Sequence, residues 1–385
     1  MKTYQILNKD SILLEFQVVN TLSSKYKIVK KGVQDVFNPF YDMSNSELEY
    51  WLDKRAIPTN RDHLDKLLLS LNLDSKERFN LLIHNHACSL NDTFWIREKD
   101  ELSINGTCLE FKDVSLYRGF KESLGLITFF GNTSSLGGKL KTPELTTQGM
   151  LRKAWRVIDD EIYLYKAGTY GYSNSGNENY SEIVACMIAD TIGIRHINYE
   201  LCEWNNILCS RSKLFTSEKY GYFPLNYFLA RKYGTSVKWT YNNVIDILKS
   251  KENIEFFNDM LVFDYIIENQ DRHFGNFGLI LDNDTGDIKY VAPLFDNGYS
   301  LLNFETSRDF PTYDYSKSSV GTFGIPNINQ ATEIIQGNRK KYKHWAKQLL
   351  LNLNKLDSLK DKIPNDRLNA MKKLLEYRCK YISKL

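Results

Sequence analysis

The sequence predicts an α+β chain: a small antiparallel β lobe carrying one helix, then a larger helical lobe, both preceded by an N-terminal α/β accessory domain. Three observations predict it. Two β-rich runs joined by "DD", residues 150–158 and 161–167, are followed by one amphipathic helix and two more strand-like runs, "HINYELCEW" and "NILCSRSKLF". Beyond about Thr216 the pattern turns helical, as in "NNVIDILKS", "NIEFFNDMLVFDYIIEN" and "NRKKYKHWAKQLLLNLNKL". Residues 1–35 read as short strands, and those after Ser44 as short helices. The resulting division is an accessory domain at 1–120, a β-rich lobe at 121–215 and a helical lobe at 216–385, with a cleft between the two lobes.

Taken in order, "ILLEFQVVN" and "KYKIVKKG" are the first strand candidates. "SNSELEYWLDKR" opens on Ser44 and Glu47, the capping-box spacing in which two side chains satisfy each other's orphan backbone donors. "TNRDHLDKLLLSLNL" places Leu64, Leu67, Leu68 and Leu71 on one helical face, and "DSKERFNLLIHNH" follows after a short turn. The last two of these helices lack a dense basic face, which favours an accessory bundle over a DNA reader. "HNHAC" alternates His84, His86 and Cys88 as a strand would, without the further ligands a metal site needs. Residues 125–145 are rich in Gly, Ser and Thr and read as a flexible connection. "GNTSSLGGKL" fails the phosphate-loop spacing, with Thr133 and Leu140 where Gly and Ser or Thr are required. "NENYSEIVACMIADTIGI" is an amphipathic helix stopped by Gly193. "GLILDNDTGDIKYV" reads as a hairpin with its turn at 283–286.

Composition narrows the function classes. Among 385 residues, 42% are hydrophobic and 13% aromatic, which suits packed cores rather than disorder. A net charge of +3 is too small to make nucleic acid or an anionic membrane the main partner. The six cysteines form no Cys-x-x-Cys pair, so reduced thiols are expected rather than a disulfide frame or a zinc site. No signal peptide and no bilayer-length apolar run is visible, and a cytoplasmic location is expected.

The polar cluster in "DYIIENQDRHFGNFGLIL" is the chemical signal. It places Asn269, Asp271, Arg272, His273 and Asn276 among apolar neighbours, where each must be satisfied internally, by a ligand or by a metal. Asp271 and Asn276 are five residues apart, and Asp296 in "APLFDNG" lies twenty further on. The hairpin between them would bring Asn276 and Asp296 together, an oxygen pair suited to magnesium, leaving Asp271 to accept a proton from an attacking hydroxyl. Lys166, on the strand "IYLYKAG", needs an anionic partner, and Glu182, one turn into the next helix, is the natural one. A base, two metal-holding side chains and a paired lysine are the parts phosphoryl transfer requires.

At these residues the chain resembles the HipA-like kinase family. "NQDRHFGNFG" followed by "APLFDNG" is similar to that family's catalytic and metal-binding segments, and the resemblance runs from about Thr146 onward. It implies a bilobal protein-kinase-like fold and an ATP- and magnesium-dependent protein serine/threonine kinase of the toxin–antitoxin kind. Asp271 would be the base, Asn276 and Asp296 the magnesium holders, Lys166 the contact to ATP phosphates and Glu182 its partner. Arg272 and His273 would brace the loop beside the nucleotide, and the adenine would lie near Ser212 and Thr216. The stretch "KTPELTTQGML" holds one glycine, Gly149, instead of the repeated glycines of protein kinases, so phosphate contact there would fall to backbone amides and Thr147. The implied partners are a protein substrate and an antitoxin or DNA-binding protein; no membrane and no direct nucleic-acid contact are expected. Two rivals use the same residues. One phosphorylates a lipid or small-molecule hydroxyl; the other is a catalytically silent nucleotide-binding regulator working through residues 44–86.

Overall fold

The computed structural model of the chain describes residues 2–20, 25–32, 37–73, 78–136 and 139–385. In chain order the elements are β1 (Thr3–Asn8), β2 (Ser11–Asn20), β3 (Lys25–Lys31), α1 (Asn45–Arg55), α2 (Leu64–Leu71), α3 (Arg78–His84), β4 (Phe94–Glu98), α4 (Phe111–Val114) and α5 (Ser123–Phe130). They continue with β5 (Lys153–Ile158), β6 (Glu161–Ala167), α6 (Asn177–Ile192), β7 (Tyr199–Trp204), β8 (Ile207–Lys213), β9 (Tyr220–Pro224), α7 (Leu225–Tyr233), α8 (Tyr241–Leu248) and α9 (Lys251–Ile267). The chain closes with β10 (Gly278–Asp282), β11 (Ile288–Val291), α10 (Asn327–Gly337), α11 (Arg339–Asn352) and α12 (Asn365–Lys384). The fold is therefore mixed α and β with several antiparallel pairings. It divides into two compact units, one of Met1–Lys166, Lys213–Phe223 and Ile280–Lys289, the other of Ala167–Ser212, Pro224–Leu279 and Tyr290–Leu385.

In the first unit, β1 and β2 form a hairpin inside a four-stranded sheet ordered β3-β2-β1-β4. Ile6 pairs with Ile96 and Leu7 with Trp95, so alternate residues send one face into a core with Phe111, Val114 and Trp155. On α1 the expected capping box is formed: the Ser44 hydroxyl accepts from the Glu47 N–H, and Glu47 returns to the Ser44 N–H at 2.8 Å. Arg55 at the other end of α1 is buried, gripping Asp92 with two bonds of 2.8 Å and donating to the Ala87 and Phe94 carbonyls. The β5–β6 hairpin turns through Asp159 and Asp160, both in the left-handed region that Asp tolerates.

Two local expectations are corrected. The junction at 125–145 is not a loose connector: α5 occupies its start, and Leu124, Ile127, Leu140 and Leu145 join α2 in one apolar cluster. Tertiary burial outweighs the Gly/Ser/Thr composition there. "HNHAC" is not a strand either. His84 closes α3, and His86 and Ala87 turn with positive φ, while burial lowers His86 to a pKa of about 4.

In the second unit, α9 is the central element, with every residue from Asp259 to Ile267 buried. Met371, Leu374, Leu375 and Ile382 of α12 are buried as well, and Arg378 of the same helix pairs with Glu268 just past the end of α9. Gly193 caps α6 with φ +73°, as its position in the sequence predicts. Among the described residues no helix is long and apolar enough to cross a membrane.

Candidate functional site

The segment after α9 is built around one arginine. Arg272 is about 1% exposed and binds Asp264, on the last turn of α9, through Nε at 3.0 Å and Nη2 at 3.1 Å. Its Nη1 donates to the carbonyls of Asn276 at 3.0 Å and Phe295 at 2.8 Å, and Nη2 reaches Asn297 Oδ1 at 2.6 Å. One fixed fork of donors therefore holds together the helix end, the loop at 271–276 and the segment at 295–297. Burial pushes the Asp264 carboxyl up, with Arg272 and Asn269 pulling it back toward the ionised form.

The loop itself is tightly wound. The Asn269 side chain donates to Asp264 and accepts the Asp271 N–H at 3.0 Å. Asn276 Nδ2 donates to the Asp271 carbonyl at 2.9 Å. Thr322 Oγ1 donates to the Arg272 carbonyl at 2.7 Å. The ends of the hairpin meet as expected, with the Ala292 N–H on the Gly278 carbonyl at 2.8 Å.

Asp296 has φ +56°, a conformation that costs a non-glycine residue on the order of 1 kcal/mol and has to be held by its surroundings. Its N–H donates to the Tyr199 hydroxyl at 3.3 Å, and the next N–H, of Asn297, donates to Glu182 at 2.9 Å. Glu182, almost wholly buried on α6, thus ties that helix to the segment carrying Asp296. Glu178, one turn earlier, binds the Thr169 N–H at 3.0 Å instead. Gly298 passes so close that an added Cβ would lie 3.1 Å from Glu178 Cβ. Tyr299 is raised by burial and by the negative field of Glu178, Asp271 and Asp296, which puts those two aspartates in one electrostatic neighbourhood.

Of the residues singled out from the sequence, Asp271, Asn276, Asp296, Glu182 and His273 lie in the second unit, and Lys166, Thr147 and Gly149 in the first. Arg272 and the hairpin hold together the backbone segments that carry the first three. His273 is exposed, and its Nδ1 accepts the Gly275 N–H at 3.0 Å, a brace within the loop. Lys166 is 5% exposed on β6, opposite Lys153. The Thr147 hydroxyl accepts from Trp155 Nε1 and donates to the Pro143 carbonyl, each at 2.9 Å, and Gly149 has φ +93°. The sequence reading missed Asp264, Asn297 and Tyr199. Asp264 alone left a signal, a single carboxylate inside the apolar run "LVFDYII".

HipA of Shewanella oneidensis, solved with HipB and its operator DNA, superposes with a TM-score of 0.60 over 99% of both chains at 13% identity. In sequence, the serine/threonine-protein kinase CtkA of Helicobacter pylori is 27% identical over 156 aligned positions, covering 37% of this chain and 48% of that protein. The chain resembles the HipA-like kinases. It spans about half the length of the curated relative it matches. The solved H. pylori CtkA kinase covers 60% of this chain and 93% of its own at 21% identity, with a TM-score of 0.47. No family model matches. The HipA likeness establishes the fold, and the CtkA match supports a kinase at family level.

Proposed function

We propose that the protein is an ATP- and magnesium-dependent serine/threonine kinase of the HipA-like type, acting on a protein hydroxyl. The observation that carries this reading is the Arg272 fork, which sets Asn276 and the Asp296 segment on the same guanidinium beside Asp271. Asn276 Oδ1 and the Asp296 carboxylate are hard oxygen donors and suit magnesium, which when bound would neutralise the phosphate charge. Asp271, half-buried, would take the proton of the attacking hydroxyl. Glu182 holds the Asn297 amide and thereby the backbone pose of Asp296. Lys166 would contact the phosphates, with backbone amides near Thr147 and Gly149 as further phosphate donors. Residues 121–215 and 216–385 would serve as the two lobes of a bilobal kinase, with 1–120 an accessory domain. An antitoxin-type partner, as HipB is to the Shewanella HipA, and a cytoplasmic location belong to the same reading; direct nucleic-acid binding does not.

Calorimetric titration with ATP tests it. The wild type should bind ATP more tightly with magnesium than with EDTA, and Asn276→Ala and Asp296→Ala should each lose that difference. No ATP binding by the folded wild type, or an unchanged magnesium effect in both variants, would end the proposal.

A further inference from the structure

In the first unit, the link between α1 and α2 is bound to the loop that leads into β5. Arg61 of that link is 4% exposed, and its guanidinium takes carbonyls of the loop. Its Nη1 donates to Leu151 at 3.0 Å, and its Nη2 donates to Gln148 at 3.2 Å and to Thr147. Asp62, the next residue, donates its N–H to the Met150 carbonyl at 2.9 Å. The loop answers with Gln148, whose Nε2 donates to the carbonyls of Ala56 at 3.0 Å and Arg55 at 3.3 Å. Lys153, the cross-strand partner of Lys166, adds a bond of 2.8 Å to the Gln148 carbonyl. At Gly149, with φ +93°, an added Cβ would collide with that Lys153 Nζ. A trans peptide sets its N–H opposite its C=O, so the bound carbonyls of Thr147, Gln148 and Met150 turn the N–H groups of Gln148, Gly149 and Leu151 away from their donors. Those N–H groups have no partner among the described residues, in a loop where Gln148 and Met150 are exposed. Outward backbone amides beside buried cations make a setting for an anion. Burial lowers Arg61 to a pKa of about 10, so it stays charged at neutral pH.

We propose that Arg61 is a positioning residue for phosphate binding: by fixing the carbonyls of this loop it aims the loop's amides at an oligophosphate, and the α1–α2 link is thereby part of the phosphate site. The inference rests on the phosphate role given to this loop under the kinase reading, which drew on no residue before Thr147. Arg61 touches no phosphate itself and acts through the backbone it holds.

The test is calorimetry on the full chain with inorganic triphosphate, ATP and adenosine as probes. The wild type should bind triphosphate and ATP. Arg61→Met should bind each about tenfold more weakly, the loss of one charge-assisted hydrogen bond, with adenosine affinity unchanged. Arg61→Lys keeps the charge but offers a point donor in place of the planar fork, so its affinity should fall as well. If Arg61→Met does not fold, Gln148→Ala, which cuts the loop's ties to Arg55 and Ala56, carries the comparison with a loss in the same direction. Triphosphate binding that depends on Arg61, in a chain that binds no ATP, would retain this inference and end the kinase reading; ATP binding indifferent to Arg61 would do the reverse. No triphosphate binding by the folded wild type, wild-type affinity in Arg61→Lys, or an equal loss of ATP and adenosine binding in Arg61→Met overturns the proposal.

Discussion

Replacing Arg272 with leucine should do more damage than any single surface change in the second unit. The substitution strands the Asp264 carboxylate, about 2% exposed, with the Asn269 amide as its remaining side-chain donor. An uncompensated buried charge costs about 3–5 kcal/mol. The Asn276 and Phe295 carbonyls and Asn297 Oδ1 also lose a donor, adding roughly 1 kcal/mol for each that water cannot reach. A total on the order of 5 kcal/mol is comparable to the whole stability of many domains. Urea denaturation followed by circular dichroism should therefore show a midpoint lowered by about 2 M, or no cooperative transition. The double variant Asp264→Leu/Arg272→Leu should recover at least about 2 kcal/mol, because no unpaired charge remains. The pH dependence adds an independent check. Burial already raises the Asp264 carboxyl, and without Arg272 it rises further, so the folded form gains stability as pH falls and the proton neutralises the group. The single variant's deficit should shrink toward acid pH. A double variant no better than the single one, together with a pH-independent deficit, would refute the reasoning.

Other outcomes follow from the same geometry. Glu144, buried beneath Trp155 and near Arg61, is pushed by burial to a pKa of about 7 against an ordinary 4.5. The folded form therefore binds this proton more tightly, and between about pH 7 and 4.5 its contribution to stability grows as pH falls. At about 1.4 kcal/mol per pH unit the interval of about 2.5 units is worth no more than roughly 3–4 kcal/mol, and Glu144→Gln should flatten that part of a stability–pH curve. Ser44→Ala removes the cap of α1 and should cost about 1 kcal/mol by thermal melt. Thr322→Val, which leaves the Arg272 carbonyl without its hydroxyl donor, should cost about 1 kcal/mol in a urea melt.

What was legible in the sequence was local. The Ser44–Glu47 box, the Asp159–Asp160 turn, the Gly193 stop and the turn ending at Gly286 all follow from residues within a few positions of one another. The meeting of the hairpin ends that flank Asn276 and Asp296 was legible for a related reason, turn residues recognisable at 283–286. The supporting contacts were not. Arg272 to Asn297 spans 25 positions and Glu182 to Asn297 spans 115, and no local pattern records such a pairing. The junction at 125–145 was misread for the converse reason. Its Gly, Ser and Thr suggested looseness, but Leu140 and Leu145 are buried by partners far away in the chain.

In the proposed mechanism Asp271 accepts the proton of an attacking hydroxyl beside a metal-held phosphate. The direct measurement is phosphate transfer from ATP to protein by the wild type and by Asp271→Ala, with ATP affinity and melting temperature determined on the same samples. The account predicts a loss of about a hundredfold to ten-thousandfold in rate with affinity and stability nearly unchanged. Equal transfer rates, or a folded wild type that binds ATP and magnesium yet transfers nothing, would contradict it.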